Sequence, residues 1–352
     1  MSLLFSEFQL KGHILRNRVV LPPMVCFGYA TEDGFVTEKN LRHYQERSED
    51  GPGLVITEAT CVDKNGKTAL RQLGIWNDDH IDGLSKIASI VKGNGAVSLI
   101  QIHHAGLVTP LEVSDKVAGP SAIDEDPRTR MLQVDEIGAL IKMFTGAALR
   151  ARKAGFDGIE LHGSHGYLLN QFASAFWNKR EDEWGGSLEN RMRFAEAIIK
   201  GIRNSCGEDF ILGYRMGANS PLLEDGKEIA KYLGSLGLDY LHVSHGGSLL
   251  NLPRPPKDFD YNWIVYSGIE IKKQVTVPVI TVNEIKTFER AEWLLQNNYT
   301  DLISLGRPQL ADPFWVKHTR DNEPVNLCQS CKPKCKWYQS SDLCPAYKKL
   351  HI

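Results

Sequence analysis

No stretch of the 352-residue chain is apolar for long enough to cross a bilayer. Its first residues, Met1-Ser2-Leu3-Leu4-Phe5-Ser6-Glu7, lack the basic region and apolar core of a secretory leader, so a cytoplasmic location is expected. Neither sign of charge is in excess: 41 Lys and Arg stand against 43 Asp and Glu, a formal net charge of -2. With a pI near 6.6, the chain has no long-range pull on nucleic acid or an anionic membrane. A GxGxxG turn after the first strand, which an open dinucleotide-binding sheet would need, is missing. Cysteine is scarce before position 328, with only Cys26, Cys61 and Cys206, while four more crowd into the last 25 residues. An odd set distributed this way suits a reducing compartment and a local thiol or metal cluster better than a disulfide framework.

What the chain does have is a repeated unit. Short apolar runs begin at Val19, Gly53, Ala96, Gly158, Phe210, Tyr240, Pro278 and Leu302, and amphipathic stretches separate most of them. The stretch from Asp78 to Lys92, for example, carries Ile81, Leu84, Ile87, Ala88 and Val91 on one stripe. Near-continuously apolar strands alternating with helices indicate a parallel sheet covered on both faces. Eight such units in a chain of this size predict an α/β fold, a closed (β/α)8 TIM barrel over 1–320, with a short cysteine-rich C-terminal extension over 321–352. Helices are expected at 37–50, 78–92, 135–154, from 187, 224–236, 267–274 and 284–296. The connection from Gly106 to Gln133 is long enough to predict a lid or pocket wall.

The stretch from Gly158 to Gly166 ends an apolar run in His162 and His165, followed by Tyr167. Two imidazoles and a phenol at a strand end are costly to hide. They are read either as satisfied core or cap groups or as a site. A zinc pair is a third reading, although no acidic or sulfur ligand stands at motif spacing. Barrel geometry does the sorting: Gln101, His162, His165, Tyr167, Arg215, His245, Asn283 and Arg307 fall at or just beyond strand C-termini and should converge on one face. The last strands of such barrels often hold a phosphate, and Gly306 and Arg307 can offer N–H groups and a guanidinium fork. Pairing of Arg307 with a loop carboxylate is the plainer alternative. A phosphate-bearing cofactor across the mouth would want an amide and a cation near its ring, which Gln101 and Arg215 could supply.

These residues carry a family resemblance. The marks are Asn17-Arg18 with Pro22-Pro23-Met24, Gln101-Ile102-His103-His104-Ala105-Gly106, the run from Ala154 to His162, His165-Gly166-Tyr167-Leu168, the run from Arg180 to Arg191, Gly306-Arg307-Pro308 and Asp312-Pro313. From about Leu4 to Thr319 the chain resembles the Old Yellow Enzyme family of FMN-dependent NAD(P)H:flavin oxidoreductases. The resemblance implies that His162 and His165 bind the carbonyl oxygen of an enone, and that Tyr167 gives a proton to the alkene while flavin N5 gives hydride. It further implies that Gln101 and Arg215 contact the FMN pyrimidine, that Pro23, Met24 and Ala59 line its ring, and that Gly306 and Arg307 hold its phosphate; Asn283, just past the seventh strand, joins the cofactor-binding set. A nicotinamide dinucleotide, NADH or NADPH, would use the same face in an earlier half-reaction. Two departures stand out. Val25 follows the Pro-Met pair where some members carry a redox-tuning cysteine, with Cys26 one later, and Ser174-Ala175-Phe176-Trp177 is bulkier than usual and could narrow the substrate site.

The tail reads Cys328-x2-Cys331-x3-Cys335-x8-Cys344; its first three cysteines resemble the cluster motif of the dienoyl-CoA reductase and trimethylamine dehydrogenase branch, while the last spacing is shorter than theirs. Those enzymes continue into a further nucleotide-binding region, whereas this sequence ends at Ile352. Three readings stay open: a [4Fe-4S] cluster fed by an external redox partner, a structural zinc, and free thiols. The expected activity is ene-reduction of α,β-unsaturated carbonyl compounds. The alternatives are a flavin-dependent dehydrogenase or demethylase passing electrons to a partner, and a non-redox phosphate-binding barrel of the lyase or epimerase kind. The last would want a strand-end lysine or metal set, and no strand-end lysine is evident. Self-association into a homo-oligomer is left open by the sequence.

Overall fold

A computed structural model describes residues 2–247 and 252–350. The chain opens with a hairpin, β1 (Phe8–Leu10) and β2 (His13–Leu15), and then enters the barrel at β3 (Val19–Leu21). There follow α1 (Glu38–Ser48), β4 (Leu54–Cys61), α2 (Ile81–Gly93), β5 (Val97–His103), the short strands β6 (Val117–Gly119) and β7 (Thr129–Met131), α3 (Val134–Lys153) and β8 (Gly158–Gly163). Next come α4 (Leu168–Ala173), α5 (Leu188–Cys206), β9 (Ile211–Gly217), α6 (Leu223–Gly234), β10 (Tyr240–Ser244), α7 (Trp263–Lys272), β11 (Val279–Val282) and α8 (Phe288–Gln296). The last elements are β12 (Leu302–Ser304), α9 (Gly306–Ala311), α10 (Trp315–Arg320) and α11 (Pro345–Lys348). Strands β3, β4, β5, β8, β9, β10, β11 and β12 close into a parallel eight-stranded barrel. This is the (β/α)8 architecture expected from the apolar rhythm.

Alternation along each strand builds two cores. Val20, Leu54, Ile56, Leu99, Ile211, Ile280 and Leu302 point inward at the N-terminal end, where Leu10 and Leu15 of the hairpin plug the floor. The intervening residues, among them Val55, Ile100, Ile159, Leu212 and Leu241, join a larger core with the covering helices. Gly213 is needed inside the barrel, because a Cβ there would lie 2.0 Å from Cζ of Tyr240.

Several element ends differ from the sequence expectation. The helix expected from Glu284 starts at Phe288 with Thr287 as its cap, because Asn283 and Glu284 take positive φ and form a turn at the mouth. The helix expected at 267 begins at Trp263, where the Asn262 side chain accepts from the N–H groups of Ile264 and Val265. Asp78 belongs to a 3-10 turn that precedes α2. The 106–133 connection is not structureless, since it holds β6 paired with β7.

The tail folds back over the C-terminal end of the barrel. Trp337 is buried, and its Nε1–H donates to the Val25 carbonyl at 2.7 Å. It packs with Cys26, Tyr29 and Leu310. Tyr347 donates to Glu46 at 2.5 Å and Lys39 pairs with Asp342 at 2.6 Å, so the segment is tied to α1 as well.

Candidate active site

The C-terminal mouth of the barrel opens into a cavity of about 950 Å³. Its wall includes Pro23, Met24, Ala59, His103, His162, His165, Tyr167, Arg215, His245, Asn283, Gly306 and Arg307. The predicted convergence therefore holds for every strand-end residue except Gln101, which lies one side-chain layer deeper. Gln101 is fully buried, donates from Nε2 to Glu160 at 2.7 Å, and keeps Oε1 without a partner.

The two motif histidines face each other. His162 Nε2 and His165 Nδ1 are 3.0 Å apart, and His165 Nε2 is 2.7 Å from Ser244 Oγ. His165 holds a left-handed backbone, φ 61°, and its N–H donates to the His245 carbonyl at 2.9 Å. Burial, reinforced by neighbouring imidazoles and by the Arg215 charge, pushes both pKa values well below the usual histidine range. Both rings are neutral near pH 7, and each has one N–H to give. For both to serve one substrate oxygen, the bond between them must open.

Tyr167 stands at the N-terminus of α4, its ring 4.7 Å from that of His162. Its hydroxyl makes no hydrogen bond among the described residues. Burial first, then the nearby Tyr338 phenol, against the Arg215 charge, raises its pKa to about 12. It is thus a protonated acid at any physiological pH.

His103 is a member of this group that sequence reasoning missed. It is fully buried, both ring nitrogens lack partners, and its ring is 4.5 Å from Tyr167 and 5.1 Å from His162. Burial holds its pKa down at about 3. Its signal was its position two residues after Gln101, which puts both on one face of a strand.

The expected phosphate end is occupied by a carboxylate of the protein. Arg307 pairs with Glu284, and Lys286 reaches the same side chain at 2.5 Å. The plainer reading of Arg307 is therefore the one seen here, and an incoming phosphate would have to displace Glu284. Asn283, at φ 100°, accepts from Asn262 Nδ2 at 2.8 Å. Cys26 is not on the cavity wall and burial raises its pKa, so it stays a thiol packed behind Met24. Phe176 and Trp177 also lie off the wall and do not narrow the cavity.

The four tail cysteines reach the same cavity as Tyr167. None of the four is in a disulfide among the described residues. Among the described residues, however, no three His, Cys, Asp or Glu side chains are gathered as a metal site.

The mouth and the side-chain layer directly beneath it fit a flavin ring on their own chemistry. Gln101 Oε1, His162 Nδ1, Arg215 Nε and Ser304 Oγ are buried polar atoms without partners, and such orphans are costly unless a ligand serves them. A planar ring with alternating donors and acceptors, beside a fixed guanidinium, would do so.

Comparison with known proteins points the same way. Residues 3–326 match the model of the NADH:flavin oxidoreductase / NADH oxidase family, a match that ends just before Cys328. An NADH oxidase of Thermoanaerobacter brockii is 40% identical over 348 residues, covering 94% of this chain and 53% of that protein. A 2-naphthoyl-CoA reductase in complex with 2-naphthoyl-CoA superposes with TM-score 0.83 at 26% identity, over 94% of this chain and 54% of that one. The chain thus spans about half the length of both. An old yellow enzyme homologue from Zymomonas mobilis superposes with TM-score 0.80 at 27% identity, over 92% of this chain and 94% of that one. The chain belongs to the NADH:flavin oxidoreductase / NADH oxidase family.

Proposed function

We propose that the protein is an FMN-dependent oxidoreductase that uses NAD(P)H to reduce the C=C bond of α,β-unsaturated carbonyl compounds. The observation that carries this reading is the placement of two neutral histidines, an unbonded phenol and a buried arginine on one cavity wall. Gln101 and Arg215 would hold the ring of FMN, Pro23, Met24 and Ala59 would line it, and Asn283, Gly306 and Arg307 would take its phosphate end. The chemistry FMN supplies when bound is hydride transfer. His162 and His165 donate to the substrate carbonyl oxygen and draw electron density from the β-carbon. Tyr167 then supplies the proton at the α-carbon.

The bulk of the barrel, 1–320, is the catalytic unit in this reading, and 321–352 is an extension that roofs it. Cys328, Cys331, Cys335 and Cys344 are the candidate ligands for [4Fe-4S] or zinc. Supporting this, all four line the same cavity, and burial first, against backbone hydrogen bonds at Tyr347 and Ala346 and with smaller contributions from the Cys328 and Cys335 sulfurs, raises the Cys344 pKa. Metal analysis of the purified protein tests the tail separately. A cluster there would imply electron exchange with a redox partner, and a homo-oligomer and a cytoplasmic location complete the reading. No helix among the described residues is long and apolar enough to span a membrane.

The test is NAD(P)H oxidation by the FMN-loaded enzyme with and without an enone such as cyclohexenone. Enone-dependent oxidation yielding the saturated ketone is expected. FMN-loaded enzyme that never reduces an enone would contradict the reading.

A further inference from the structure

Beneath the cavity lies a buried polar layer that substrate does not reach. Glu160 has no exposed surface. Its Oε1 accepts from Gln101 Nε2 at 2.7 Å, and its Oε2 accepts from His242 Nδ1 at 2.9 Å and from the Tyr240 hydroxyl at 3.1 Å. The barrel register makes this arrangement: Gln101 pairs with Glu160 across β5 and β8, and His242 pairs with Arg215 across β10 and β9. One step up β8 from Glu160, His162 pairs with Arg215.

A glutamine amide is ambiguous by itself, since either end can face a neighbour. A carboxylate removes that ambiguity because it only accepts, so the NH2 end of Gln101 must face Glu160. The carbonyl Oε1 is then left as a buried acceptor without a partner. The same carboxylate places a negative charge near the buried Arg215 guanidinium.

We propose that Glu160 is a positioning residue for the flavin ring, fixing Gln101 as an acceptor. This rests on the FMN reading above. The oxidised flavin ring carries a single ring N–H, at N3, so an acceptor at its pyrimidine edge reads that atom. Replacing Glu160 by glutamine would let the two facing amides pair in either sense and would erase the fixed polarity.

The experiment uses full-length protein loaded with 15N-labelled FMN and follows the N3 proton by NMR. In the wild-type protein the N3–H should exchange slowly with solvent and resonate downfield. In Glu160→Gln, exchange should quicken about tenfold or more and the proton should move upfield, while Tyr240→Phe, which leaves the Glu160–Gln101 bond in place, should preserve both. If Glu160→Gln does not fold, Glu160→Asp is read in the same way, with at least a threefold quickening expected. An unprotected N3–H in the wild-type protein, or one unchanged in the Glu160 variant, overturns the proposal. Failure of the wild-type protein to bind FMN overturns the functional reading instead.

Discussion

The two ends of the barrel interior are built from the same strands and differ almost completely in chemistry. Along β5 the inward residues run Val97, Leu99, Gln101, His103, and along β9 they run Ile211, Gly213, Arg215. Strand β10 contributes Tyr240, His242 and Ser244, and β8 contributes Gly158, Glu160 and His162. At the floor the inward side chains, among them Val20, Leu54, Leu99 and Ile211, pack in one apolar cluster. At the mouth several polar atoms are buried and unpaired. The floor accounts for stability, and the mouth carries a desolvation cost that only a ligand can relieve.

Substitutions should separate the two ends. The largest effect is expected for Tyr167→Phe, which should slow enone reduction by about 10²–10⁴-fold while sparing flavin reduction by NAD(P)H. Stopped-flow measurement of the two half-reactions checks this, and equal loss in both would remove Tyr167 from the proton-donor role. At the floor the pattern should invert. Leu99→Ala, at a fully buried position, should cost about 2–5 kcal/mol of stability by denaturant titration, while turnover per folded molecule stays near that of the wild-type protein.

The mouth should also titrate where the floor cannot. His103, His162 and His165 all have folded pKa values below the ordinary 6.5. Below pH 6.5 the unfolded chain therefore binds more protons than the folded one. Their contribution to stability is present above pH 6.5 and is lost as pH falls through their lowered folded values, which for His103 is about 3. His103→Gln should flatten part of this slope in melting curves recorded between pH 7 and pH 4. The smallest effect is expected at the rim, where Glu284→Gln frees Arg307 and Lys286. FMN should bind up to about fivefold more tightly, the range of a partly exposed ion pair, as read by fluorescence titration.

Much of this was legible in the sequence because strand runs and their end residues obey simple periodicities. The eight strands follow from the apolar runs beginning at residues such as Val19 and Leu302, and the convergence of His162, Tyr167 and Arg215 follows from their strand-end positions. Depth within the barrel was not legible. Gln101 and His103 differ by one inward step, yet only His103 stands on the cavity wall, with Gln101 in the layer beneath it, because depth depends on barrel stagger rather than on local sequence. The Glu160 layer escaped for the same reason: its partners Gln101, Tyr240 and His242 come from β5 and β10. Arg307 was placed correctly in space, but its ion pair depends on the positive-φ turn at Asn283 and Glu284, which the sequence rhythm presented as the start of a helix. The anchoring of the tail by Trp337 through the Val25 carbonyl has no local signature at all.

The central claim is that the unpaired polar mouth is a flavin site. Its most direct test is an absorbance titration of the purified full-length protein with FMN. The account predicts a bound flavin spectrum saturating at one FMN per chain, with band shifts that are lost in Arg215→Met. A colourless protein that cannot be reconstituted with FMN would contradict it.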